Sequence, residues 1–246
     1  MKFRPCIDLH QGKVKQIIGS TLSDNPVSSP QTNFISEHSS AWFAKLYKQD
    51  HLSGGHIIKL GPGNDAAACE ALSTWPNRLQ IGGGITAENA QSWLEKGASD
   101  VIVTSFVFHQ GQVNEARLKE IAEIVGKENL VLDLSCRKQN GYYYIVTDRW
   151  QKFTSIKLDS QTLDYFAKYC HEFLIHAVDV EGKSNGIETD LVKLLGYWGK
   201  DSHHLCWVEF TLSAISKQYV SQEKRILILP SEVPWDIFGG QDLGIH

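Results

Sequence analysis

Leu79-Gln80-Ile81-Gly82-Gly83-Gly84-Ile85 is an apolar run that stops in three consecutive glycines, and Thr86-Ala87-Glu88-Asn89-Ala90 follows it as a helix start with Thr86 at the N-cap. Glycine lacks a Cβ, so its backbone N–H groups can close on a ligand. A strand, a glycine turn and a helix N-terminus together form an anion site, with phosphate as the expected guest. The bare alternative is a tight strand-to-helix turn that holds nothing. Three glycines in a row at the C-terminal end of a strand favour the phosphate.

The same alternation extends in both directions. Apolar runs at Arg4–Leu9, His56–Leu60, Leu79–Ile81, Asp100–Thr104, Asn129–Leu134, Phe173–Val178, Leu205–Phe210 and Arg225–Leu229 read as strands. They are near-continuously apolar, the pattern of strands buried on both faces. Helical patterns fall between them at Ala41–Lys48, Ala66–Ser73, Ala87–Lys96, Asn114–Val125, Thr162–Lys168 and Thr189–Gly196. Eight strand-then-helix units in 246 residues predict a single-domain (β/α)8 TIM barrel over residues 1–246. A doubly wound open sheet is the competing arrangement.

Composition narrows the partners. With 42% hydrophobic residues the chain can bury a large core, and its net charge of −4 with no Lys/Arg-rich run argues against a nucleic-acid or anionic-membrane surface. An anion must therefore be held by local backbone geometry. The five cysteines, Cys6, Cys69, Cys136, Cys170 and Cys206, are scattered without a Cys-x-x-Cys pair, so neither a disulfide framework nor a zinc site is expected. A reducing cytoplasm fits this usage. The N-terminus shows no signal-peptide pattern, and no apolar run approaches the ~18 residues of a membrane span.

Two polar stretches interrupt the rhythm. Gly19–Ser40 is rich in Ser, Pro and Asn, and Gln139–Thr154 carries Tyr142, Tyr143, Tyr144 and Trp150 around the hairpin signal Asn140-Gly141. Both follow a strand, where barrels carry lids and specificity loops. Trp150 in such a loop is placed to stack on a heterocycle or to anchor the hairpin.

Carboxylates supply the candidate chemistry. Ile7-Asp8-Leu9 closes the first strand and Leu132-Asp133-Leu134 closes the fifth, an internal repeat half a chain apart. In a barrel these strands lie opposite, so Asp8 and Asp133 would face each other across the mouth. Such a pair suits general acid/base catalysis, one carboxylate staying ionised while its partner keeps a proton.

These residues carry a resemblance. Pro5-Cys-Ile-Asp8-Leu-His-Gln-Gly-Lys-Val-Lys-Gln16, Gln80-Ile-Gly-Gly-Gly-Ile85, Val101-Ile-Val-Thr104-Ser105, Leu132-Asp133-Leu-Ser135, His176-Ala-Val-Asp-Val-Glu181-Gly182 and Asp236-Ile-Phe-Gly-Gly240 together resemble the phosphoribosylformimino-5-aminoimidazole carboxamide ribotide isomerases of histidine biosynthesis, in their fungal or plant form. The resemblance runs from Met1 to about Ser202 and returns at Asp236–Gly240. It implies a cytoplasmic, monomeric barrel that performs an Amadori rearrangement, aminoaldose to aminoketose, on a bis-phosphorylated ribotide without metal or organic cofactor. Asp8 is then the base that moves the C2 proton and Asp133 the general acid that opens the ribose ring. Gly83 and Gly84 with Thr104 and Ser105 match a phosphate cradle, and Trp150 matches a loop tryptophan set against substrate. Lys59-Leu60-Gly61 stands where bacterial members carry an aspartate. His176-Ala177 replaces their Thr-Asp pair, which leaves His176 either a substrate contact or a packed barrel histidine.

The sister barrel, the cyclase half of imidazole glycerol phosphate synthase, is the nearest alternative. Its first strand typically continues through a Leu-Asp-Val and a Lys-Gly pair, where this chain has Ile7-Asp8-Leu9 and Lys15-Gln16. A further alternative is a catalytically silent product of a disrupted reading frame. By the half-barrel repeat, strands seven and eight should end in glycines, yet Cys206-Trp-Val-Glu-Phe210 and Ile228-Leu-Pro-Ser-Glu232 contain none. Back-translated in displaced frames, this region permits Tyr-Ala-Gly-Gly-Val near 204–210 and Ser-Ile-Gly-Ser-Ala-Leu at 229–235, the family's two phosphate turns. The expectation is that residues 207–235 are a frame-shifted stretch, poorly folded and costing most of the activity.

Overall fold

The computed structural model describes residues 4–17, 32–179, 188–198, 204–208 and 226–229. Eight parallel strands run in strict chain order: β1 (Cys6–His10), β4 (His56–Lys59), β5 (Gln80–Gly82), β6 (Val101–Val103), β9 (Leu130–Asp133), β13 (Glu172–His176), β14 (His204–Val208) and β15 (Ile226–Leu229). A doubly wound sheet reverses its strand order partway; this one does not. Helices α1 (Ser40–Gln49), α2 (Asp65–Thr74), α3 (Ala87–Glu95), α4 (Glu115–Val125), α5 (Ser160–Phe166) and α6 (Thr189–Trp198) fill the connections.

Curling of the sheet follows from side chains that meet across it. Five inter-strand steps of about 4.8 Å separate β1 from β13, so in a flat sheet they would lie about 24 Å apart. Yet Arg4, just before β1, places Nη1 2.6 and 2.7 Å from the two carboxylate oxygens of Glu172 on β13. Gln80 on β5 donates to the same carboxylate at 3.1 Å. These groups can meet only on the inside of a curved wall, the (β/α)8 arrangement, although no β15-to-β1 pairing is described among these residues.

Residues two apart on a strand share a face, which stacks the interior in layers. The floor is polar, with Arg4, His56, Gln80 and Glu172. Above it Ile58, Ile102, Val131 and Leu174 form an apolar layer, and Gly82 is small because a Cβ there would meet Ile58 Cδ1 at 2.8 Å. The next layer, at the C-terminal ends, holds Asp8, Thr104, Asp133 and His176. Outside the wall, the main core packs helix residues such as Phe43, Leu72, Trp93, Leu118 and Phe166 against the strands.

The eight strands and six helices fall where the sequence placed them, within one to three residues at each end. Segments read as plain loop are more ordered than that. β1 turns at Gln11 and Gly12, both with positive φ, into β2 (Lys13–Ile17), and β3 (Thr32–Ile35) lies within the span read as a polar loop. A two-stranded ribbon, β7 (Phe108–His109) and β8 (Gln112–Val113), precedes α4. The Tyr-rich stretch is a three-stranded antiparallel sheet of β10 (Cys136–Gln139), β11 (Tyr142–Thr147) and β12 (Lys152–Lys157). Asn140 (φ 51°) and Gly141 (φ 81°) form its first turn, as the sequence signal predicts. Of residues 207–235, only 207–208 and 226–229 are described, all within strands, so the frame-shift expectation lies largely outside the described residues.

Candidate active site

Asp133 ends β9 with its carboxylate nearly buried and surrounded by donors. Oδ1 accepts from Ser135 N at 3.0 Å and Ser135 Oγ at 2.7 Å, and lies 3.2 Å from His176 Nδ1. Oδ2 accepts from Thr104 Oγ1 at 3.1 Å. Burial pushes this carboxyl upward, but the charge of His176 and the bonds from His176, Ser135 and Thr104 outweigh it and hold the carboxyl below its ordinary range. Asp8, on β1, is in the opposite situation. Burial raises its carboxyl above the ordinary value, and one Cys6 Sγ contact at 3.1 Å together with the charge of His176 only partly offsets this.

The two repeat aspartates therefore sit in contrasting environments, and His176 is within electrostatic reach of both. Trp150 reaches the same place, its ring centroid 6.0 Å from that of His176. It is carried on a turn in which Asp148, Arg149 and Trp150 all have positive φ (53°, 53° and 66°), a conformation that costs about 1–2 kcal/mol per non-glycine residue. Asp148 ties that turn down by accepting from Thr147 Oγ1 at 3.1 Å and pairing with His109 at 2.9 Å.

The glycines divide their labour. Gly83 (φ +86°) packs so tightly that a Cβ would fall on the backbone of Lys59, whereas Gly84 (φ +69°) is exposed with nothing within 4 Å of an added Cβ. Gly84 is thus the glycine a ligand can approach, and Gly83 is the one that lets β5 turn against the end of β4. Asn89 fixes the turn, accepting from Thr86 N at 3.0 Å and donating to Gly84 O at 2.9 Å. Ser105 is exposed on the turn after β6, and the Thr104 hydroxyl is committed to Asp133. The structure thus joins Asp133, Thr104, His176 and Trp150, with Asp8 in charge range. Gly83, Gly84 and Ser105 sit on neighbouring turns at the same strand ends.

Ser135 and Cys6 are contacts that the sequence reading did not single out. The Asp133-Leu134-Ser135 spacing is the available signal for the first, since an Asp side chain accepts readily from the N–H two residues on. Lys59 is also engaged, bonding Asp65 at 2.9 Å and lying 3.9 Å over the Trp93 ring.

A parallel barrel with acid/base groups and glycine turns at the C-terminal strand ends defines a barrel enzyme of the phosphosugar type. Residues 2–200 match the histidine biosynthesis protein family, and the chain belongs to that family. It is 57% identical over 201 residues to a chloroplastic enzyme of Medicago truncatula, named as the isomerase of a 1-(5-phosphoribosyl)imidazole-4-carboxamide bearing a (5-phosphoribosylamino)methylideneamino group. That match covers 80% of this chain and 64% of the Medicago protein. Identically named isomerases match from Saccharomyces cerevisiae, 50% identical over 81% of this chain and 77% of theirs, and from Eremothecium gossypii, 42% identical over 97% and 94%.

Proposed function

We propose that the chain is the isomerase its relatives are named for, converting an aminoaldose to an aminoketose on a ribotide with a phosphate at each end. Family membership supports the reaction. The observation that carries the site is the pair of strand-end aspartates from the two half-barrels, held in unlike environments around His176. Asp8 is the base for the C2 proton: its raised carboxyl is still ionised at neutral pH yet more basic than an ordinary aspartate, as a base should be. Asp133 belongs to the acid side. Gly84 with the α3 N-terminus and Ser105 would cradle one phosphate through backbone N–H groups, Gly83 shaping the turn, and Trp150 would lie against the substrate. We place the enzyme in the cytoplasm as a monomer; among the described residues no helix is long and apolar enough to cross a membrane.

Purified chain is assayed for conversion of the ribotide, with Asp8→Asn and Asp133→Asn alongside. Each is expected to lower kcat about 10²–10⁴-fold with KM little changed. Near-normal kcat in either variant removes that residue from the mechanism. A second reading, a silent product of a displaced reading frame over 207–235, is favoured by a family match that stops at residue 200. Sequencing the transcript across codons 204 to 236, and assaying a chain with the displaced frame restored, separates the two. Intact codons together with full activity of the present chain would end the second reading.

A further inference from the structure

We infer that the proton on the acid side of this reaction is carried on His176 Nε2, and that Asp133 is the positioning carboxylate that holds the imidazole for it. The inference rests on the isomerase reading above and specifies which atom delivers the proton.

Hydrogen-bond bookkeeping around Nδ1 fixes the ring. His176 Nδ1 lies 3.2 Å from Asp133 Oδ1 and 3.4 Å from Ser135 Oγ. Ser135 Oγ spends its own proton on Asp133 Oδ1 at 2.7 Å, so toward the imidazole it presents a lone pair. Asp133 Oδ1 already takes two donors from Ser135, so it too faces the ring as an acceptor. With acceptors on both sides, Nδ1 carries a hydrogen. Nε2 is then the nitrogen left to gain and lose a proton, on the edge of the ring turned away from Asp133. A carboxylate that fixes one imidazole nitrogen so that the other performs the chemistry is a recurrent catalytic device.

Asp133 is poorly arranged to donate a proton itself. Oδ1 is saturated by three donors, and Oδ2 accepts from Thr104. Protonating it would break bonds that the site has formed. The charged and titratable groups facing His176 are Asp133 from β9, Asp8 from β1 and, from β4, His56, which burial keeps uncharged at neutral pH. Ser135, Thr104 and Trp150 add no charge. Two carboxylates and no persistent cation favour an imidazolium in this position.

The proton balance closes on these two residues. The anomeric nitrogen's lone pair forms a C1=N bond as the C1–ring-oxygen bond breaks, and Nε2 protonates the departing ring oxygen. Asp8 then takes the C2 proton, and its electron pair forms C1=C2 while the iminium returns to an amine. Asp8 returns that proton to C1 as the C2 hydroxyl becomes a ketone and its proton goes back to Nε2. No proton is gained or lost overall, and no co-reactant is needed.

Two measurements test this. In wild-type chain labelled with ¹⁵N-histidine, His176 is expected to show Nδ1–H throughout, with Nε2 also protonated at pH 7. An Nδ1 without a proton overturns the inference whether or not the chain turns over, so it is separable from failure of the isomerase reading. In the form of the chain that isomerises the ribotide, His176→Gly is expected to lose about 10²–10⁴ in kcat with KM nearly unchanged. Substituted imidazoles should restore turnover in proportion to their acid strength. Retention of kcat within a few-fold, or rescue indifferent to imidazole acidity, overturns it.

Discussion

Asp8 is a residue whose chemistry works against the stability of the chain that holds it. Its carboxyl is more basic when folded than when unfolded, because burial disfavours the charge. Such a group binds its proton more tightly in the native state, so at pH values above its folded pKa its ionisation weighs against folding. Asp8→Asn should therefore raise the urea midpoint at pH 7 even as turnover falls. Asp133 has the opposite sign: its carboxylate is stabilised by its donors, and that contribution is present at neutral pH and fades as pH falls through its lowered folded pKa. Asp133→Asn should lower the midpoint, by about 1–3 kcal/mol for the bonds it disturbs. Paired urea titrations decide both, and a destabilised Asp8→Asn would mean that burial does not govern that carboxyl. The strand-end repeat made both aspartates legible in the sequence. Their contrast was not, because it depends on Ser135, Thr104 and His176 converging on one carboxylate from three different strand ends.

At the scale of the element, the turn between β5 and α3 separates packing from binding within two adjacent glycines. Gly83→Ala places a methyl on the Lys59 backbone, so the turn must move away from β4. Gly84→Ala meets only the strain of a positive φ, about 1 kcal/mol, in open space. Gly83→Ala is thus expected to cost about 3 kcal/mol of stability, the upper part of the range for single substitutions. Gly84→Ala should fold well yet bind the ribotide roughly 10- to 100-fold more weakly, as expected when one charge-assisted bond is lost. Thermal melts and substrate titrations on the two variants would show this crossover; equal losses in both would show that the turn serves packing alone. The strand, the glycines and the Thr86 cap were readable because each is a local signal. The β10–β12 sheet was readable only at Asn140-Gly141. Its strands are held by long-range ties such as Arg137 to Asp179 at 2.8 Å and Tyr143 to Glu188 at 2.5 Å, which no local pattern announces.

For the whole molecule, the floor of the barrel is the part the sequence concealed, since Arg4, His56, Gln80 and Glu172 are spread over 169 positions and meet only when the sheet curls. This layer is polar and dry. Glu172 and Gln80 are each 1% exposed and His56 is 2% exposed. Removing one member of a buried ion pair such as Arg4–Glu172 typically costs about 3–5 kcal/mol, because the partner charge is left unpaired. His56 makes the layer sensitive to pH. Burial, with the nearby charges of His176 and Arg4, lowers its pKa from 6.5 to about 3. An unfolded chain binds a proton at this residue below pH 6.5, whereas the folded chain resists doing so until about pH 3, so stability is lost progressively across that window as pH falls. Between pH 6.5 and pH 5 the loss from this residue amounts to about 2 kcal/mol, at ~1.4 kcal/mol per unit. His56→Phe cannot take up that proton. Whatever its absolute stability, its urea midpoint should fall less than that of the wild type between pH 7 and pH 5, the other titrating groups being common to both chains. Parallel slopes for the two chains would show that His56 is charged within the folded barrel, and the floor would then have to hold a second cation beside Arg4.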